Sequence, residues 1–111
     1  MTEAMILSIV ASDCSAELED KFNRWYNEVH IPMLFPFKGL KKVARYRLVG
    51  EGKDQVKYLA LYEFESEKAI ADFMNSPEFN AATEEMQETW KDGGLDIKWV
   101  AQYKPIKTWE K

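Results

Sequence analysis

The stretch Val56-Lys57-Tyr58-Leu59-Ala60-Leu61-Tyr62-Glu63-Phe64 is apolar on both of its alternating faces. Val56, Tyr58, Ala60, Tyr62 and Phe64 fall on one side, Leu59 and Leu61 on the other. Successive side chains of a β-strand point to opposite sides of the sheet, so a strand with two apolar faces belongs at the centre of one. Immediately before it, Gly50-Glu51-Gly52-Lys53-Asp54 reads as a turn and residues 43–49 as a partner strand, which together make a β-hairpin. The partner carries Arg45 and Arg47 on one face and Ala44, Tyr46 and Leu48 on the other, as suits a sheet edge. Further back, residues 5–11 form a second strand apolar on both faces, closed by Ser12-Asp13.

Two helical regions separate these strands from one another and from the end of the chain. Asp13 or Ser15 is placed to cap the first, and Glu17, Glu19 and Asp20 crowd its opening turns, where the helix dipole favours negative charge. Leu18, Phe22, Trp25 and Val29 follow the spacing of one buried stripe, with Tyr26 and His30, four apart, along its flank. Ile31 precedes Pro32 and is biased away from helical geometry, which predicts that this helix ends near His30. Ser66 opens a second helical segment through Ile70, Phe73 and Met74, and Ser76-Pro77-Glu78 restarts it with serine at the cap and proline at the first helical position. Phe79, Ala82, Met86 and Trp90 form its buried stripe before Gly93-Gly94. Residues 95–103 are a last strand, with Ile97, Trp99, Ala101 and Tyr103 expected inward and Lys98 and Gln102 outward.

The order β-α-β-β-α-β predicts an α+β, ferredoxin-like sandwich with a four-stranded antiparallel sheet, its first and third strands central. Helices can cover only one face of such a sheet. The other face carries enough apolar surface to predict pairing with a second copy, a homodimer. The 111 residues make a single domain, with no repeat or linker.

A net charge of −4 argues against a nucleic-acid binder. No run approaches membrane-spanning length, and the N-terminal residues show no secretion signal. The single cysteine, Cys14, fits a reducing, cytoplasmic setting. One histidine and one cysteine supply no metal cluster, and no cofactor motif is present. Chemistry therefore centres on His30. A helix-end histidine commonly satisfies a terminal carbonyl. Here it is the only histidine, it flanks an aromatic stripe, and it precedes the apolar loop Met33-Leu34-Phe35-Pro36-Phe37-Lys38-Gly39-Leu40, a candidate wall or lid. These features suit a general acid or base in a dry pocket. Tyr26 could orient a substrate oxygen from the same flank, though a tyrosine at a core rim is commonplace. Arg45 or Arg47 could clamp an anion or simply be solvated edge charges.

The run Phe22-x-x-Trp25-Tyr26-x-x-x-His30-Ile31-Pro32, with Val43-Ala44-Arg45-Tyr46 and Ser76-Pro77-Glu78-Phe79 after it, resembles the EthD-like family of the dimeric α+β barrel superfamily. The resemblance spans nearly the whole chain, residues 1–111. It implies ferredoxin-like monomers paired sheet to sheet, each with a cleft between sheet and helices. His30 matches the family's motif histidine, and Trp25, Tyr26 and Pro32 match its neighbours. From the residues themselves, His30 and Tyr26 are the candidate catalytic pair, with Trp25, Phe35, Phe37 and Tyr46 expected around the ligand. The leading expectation is a cofactor-independent enzyme acting on an apolar aromatic or carbonyl-containing molecule. A non-catalytic binding protein and a haem-binding, monooxygenase-like protein are the alternatives.

Overall fold

A computed structural model describes residues 5–52 and 54–111; Met1 to Ala4 of the N-terminal reading, and Lys53 of the expected turn, lie outside them. Four strands, β1 (Ile6–Cys14), β2 (Leu40–Arg47), β3 (Tyr58–Phe64) and β4 (Leu95–Tyr103), form one antiparallel sheet in the order β2-β3-β1-β4. The two strands read as apolar on both faces, β1 and β3, are the central pair. Helices α1 (Glu19–Trp25), α2 (Ile31–Leu34), α3 (Glu67–Met74) and α4 (Pro77–Thr89) complete a ferredoxin-like α+β fold.

The caps of α3 and α4 are those the sequence predicts. Ser66 Oγ accepts from the Ala69 N–H and Ser76 Oγ from the Phe79 N–H, both at 3.1 Å. Such a cap stabilises a helix by about 1 kcal/mol. At the start of α1 the side chain of Ser15 caps nothing, and a short 3₁₀ turn, Ala16–Leu18, leads in. Asp13 is used elsewhere, accepting from the Lys57 N–H at 2.8 Å.

Several boundaries differ from expectation. β1 runs on through Ser12 and Asp13 to Cys14, because β4 pairs with it along that whole length. β2 begins three residues early, at Leu40, and the hairpin loop is longer than expected because β2 ends at Arg47 and β3 starts only at Tyr58. The largest difference follows α1. The helix does not stop at His30 but widens into a π turn, Tyr26–His30, and continues as α2 through Pro32. The Ile31 N–H reaches back five residues to the Tyr26 carbonyl, and Ile31 keeps helical angles (φ −63°, ψ −44°). Proline mid-helix removes one donor and crowds the carbonyl four residues back; a widened turn just before it relieves both demands.

The sheet face under the helices holds Ile6, Ser8, Val10, Ala60, Tyr62 and Phe64, and their register partners on β4 include Val100 and Gln102. Phe22, fully buried, sits at the centre of the core with Tyr26, Tyr58 and Trp90 around it. The predicted inward set on β4 needs correction. Trp99 pairs with Ala11 but Ile97 with Ser12, so Lys98 is the extra residue of a β-bulge. One extra residue exchanges the faces of everything beyond it. Ile97, Val100 and Gln102 therefore face the helices, while Trp99, Ala101 and Tyr103 lie on the opposite, uncovered face. Among the described residues no helix is long and apolar enough to cross a membrane.

Candidate functional site

The π turn decides where His30 goes. In an α-helix, side chains four apart are neighbours; across a π turn the hydrogen-bonding span is five. Trp25 and His30, five apart, stack with ring centroids 4.6 Å apart and planes only 22° from parallel. Tyr26, four apart, meets the same imidazole edge-on at 5.2 Å and 83°. Sequence periodicity predicted the second contact and missed the first.

His30 lines a cavity of about 360 Å³ between the helices and the covered face of β1, β3 and β4. Leu34, Phe73, Phe79, Ala82 and Met86 supply much of the helical wall, and Ser8, Val10, Tyr62, Phe64, Val100 and Gln102 the sheet wall. Its volume is at the lower end of small-molecule pockets, and its predominantly apolar lining is typical of them. Met74, Ile97 and Val100, each about half exposed, mark a rim along the β4 edge.

The imidazole Nδ1 is shut away from solvent without a hydrogen-bond partner. Burial pushes the pKa of His30 from 6.5 down to about 4, the nearby Glu85 carboxylate opposing that shift. His30 is therefore neutral near pH 7. Glu85, on α4, accepts from Trp25 Nε1 at 2.7 Å and from the Thr89 hydroxyl. That contact holds Trp25 flat against the histidine.

The structure brings some of the sequence-predicted site residues together and not others. Trp25 and Tyr26 are buried and touch His30 without themselves lining the cavity. The Tyr62 hydroxyl donates to that of Tyr26 over 3.5 Å, and Tyr62 is the tyrosine that reaches the cavity wall. Burial raises the pKa of both phenols, so both stay protonated. Phe37 packs against Phe73 behind the wall. Phe35 is half exposed, and Tyr46 lies on the opposite face of the sheet beside Leu59 and Trp99; neither lines the cavity. Ser8, Tyr62, Thr83 and Gln102, its polar lining residues beside His30, went unnoticed. The covered face of a central strand pointed to Tyr62 and Ser8; the β4 bulge hid Gln102.

Arg45 is partly buried and bonded within the protein. Its guanidinium donates to Asn27 Oδ1 at 2.7 Å and to Asn23 Oδ1 at 2.8 Å and lies 4.5 Å over the Tyr26 ring. It ties β2 to α1 and the π turn. Burial raises the pKa of the Cys14 thiol, the reverse of an activated nucleophile. No group of three potential metal ligands occurs among the described residues. Nor does the cavity fit haem: none of its lining side chains carries the positive charge that two propionates would seek.

Over residues 5–101 the sequence matches the family described as "Domain of unknown function (DUF4286)". The chain belongs to that family. Comparison with curated proteins found no match. Among solved structures, an EthD family protein from Bacillus halodurans is similar with 16% identity and a TM-score of 0.64, over 88% of this chain and 96% of that one. HapK from Hahella chejuensis is similar at 9% identity with a TM-score of 0.73, over 96% and 97% of the two chains. A DABB family protein with a ferredoxin-like fold from Mesorhizobium loti is similar at 11% identity and 0.65, over 96% and 99%. The predicted likeness to an EthD family protein is thus found in the solved structures, and at these identities it is a likeness of fold.

Proposed function

We propose that this DUF4286 member is a small cofactor-independent enzyme that takes an apolar aromatic or carbonyl-containing molecule into the cavity, with His30 exchanging a proton with it. The observation that carries the reading is a partly buried imidazole, neutral near pH 7, on the wall of a predominantly apolar cavity, its buried nitrogen unpaired. Tyr26 acts from behind the wall, its hydroxyl orienting that of Tyr62. Small molecules extracted from the purified protein and identified by mass spectrometry supply the compound to test. Turnover of that compound should fall by about 100-fold or more in His30→Ala, the usual weight of an acid–base residue. Unchanged turnover would remove His30 from the chemistry.

The second reading is a binding protein without turnover. It is favoured by the same depressed pKa, which makes His30 a weak base. Retention of the compound by both wild type and His30→Gln, with no conversion by either, would select it.

The uncovered sheet face supports the homodimer. Tyr46, Trp99 and Tyr103 are each roughly half exposed there, beside Leu59 and Leu61. An apolar face of this kind is ordinarily covered. Light scattering at micromolar concentration should give twice the chain mass; a monomer would refute the pairing. The lone cysteine is in keeping with a reducing, cytoplasmic location.

A further inference from the structure

Building on the cavity reading above, we infer that the site selects an uncharged ligand bearing a carbonyl, and that His30 meets the carbonyl oxygen as a hydrogen-bond donor through Nε2–H. Charge comes first. None of the side chains lining the cavity is cationic or anionic at neutral pH. The charge that acts on His30 is negative, Glu85, held in place by Trp25 and Thr89. Arg45, on the covered face, donates to Asn23 and Asn27 and takes no part in the lining. A carboxylate entering here would lose its water, find no cation and approach a carboxylate, each of which opposes binding.

The tautomer comes second. A neutral imidazole carries its proton on one nitrogen only. Nδ1 is buried and has no partner. A buried N–H with no acceptor is among the rarest and costliest of polar defects, whereas a bare acceptor lone pair is better tolerated. The proton therefore belongs on Nε2, the nitrogen left for a ligand to meet. Because burial keeps the ring neutral well below physiological pH, the donor is an uncharged imidazole, able to polarise a carbonyl without a counter-ion. The Trp25 stack and the edge of Tyr26 fix the plane in which that donor lies.

Three probes of nearly one shape test this: 2-acetylnaphthalene, 2-ethylnaphthalene and 2-naphthoate, titrated calorimetrically into the wild-type protein near neutral pH. The ketone should bind tightest, with naphthoate weaker by roughly tenfold or more. The infrared carbonyl band of the bound ketone should lie below its position in hexane. In His30→Phe, which keeps a ring against Trp25, the band should return to the hexane position; in His30→Gln, which keeps an N–H, the lowered band should persist. Naphthoate binding as tightly as the ketone, or an unshifted band in the wild-type complex, would overturn the inference while leaving the cavity as a binding site. Failure of both the ketone and the hydrocarbon to bind would overturn the cavity reading itself and this inference with it.

Discussion

The covered face of the sheet treats its polar residues differently at its two sides. Beside β2 they are tied to one another: Arg45 to Asn23 and Asn27, and Tyr58 to Asn23 and Glu19. Toward β4 the face opens into the cavity, where His30 lines the wall with its Nδ1 buried and unpaired and its Nε2 left to meet a ligand. Satisfied buried groups fix a fold, and a buried group left unsatisfied in a cavity calls for another explanation. The first side is scaffold, and the second is kept free for a guest.

The comparison can be broken most forcefully at its shared centre. Phe22, fully buried between the two sides, should cost about 3–5 kcal/mol when changed to alanine, read from the urea midpoint. A loss below about 1 kcal/mol would mean that the core is not anchored there.

A second measurement isolates the cavity side. The pKa of His30 is lower in the folded chain than the ordinary 6.5, at about 4. The unfolded chain therefore binds more protons in that window. Stability due to this residue is fully present above pH 6.5, is lost as pH falls toward 4, and is flat below. The loss amounts to on the order of 3 kcal/mol. His30→Phe should remove this part of the slope in urea titrations across the window. An identical slope in both proteins would show that His30 is not held neutral by burial.

The smallest effects sharpen the contrast. Asn23→Ala, which strips a partner from Arg45 and Tyr58, should cost about 1–3 kcal/mol. Ser8→Ala, on the cavity wall, should stay within about 0.5 kcal/mol of wild type. Equal costs would erase the distinction between the two sides.

Much of the fold was legible because it rests on local rules. Two-faced apolar strands identified β1 and β3 as central, and Ser66 and Ser76-Pro77 marked where α3 and α4 begin. His30 could be singled out by its rarity and its aromatic neighbours, and Trp25 and Tyr26 do meet it. What escaped were departures from regular period. The π turn carries the helix past Pro32 and puts Trp25 rather than Tyr26 face to face with His30. The bulge at Lys98 turns Gln102 toward the cavity and Trp99 away from it. Each is a single extra residue whose signature in the sequence is weaker than the pattern it interrupts. The remaining lining residues converge from separate elements, which no spacing along the chain reveals.

The π turn also has an evolutionary reading. A turn with one residue more than an α-helix needs can arise by insertion of a single codon and vanish by its deletion. Removing Val29 would let the segment rewind as ordinary α-helix and swing the side chains on one side of the deletion by about 100° relative to those on the other. The Trp25–His30 stack would then be lost while Pro32 faced the crowding that the wide turn relieves. Relatives one residue shorter between the tryptophan and the proline would share this fold without sharing this site, which makes the length of that segment a marker for sorting the family.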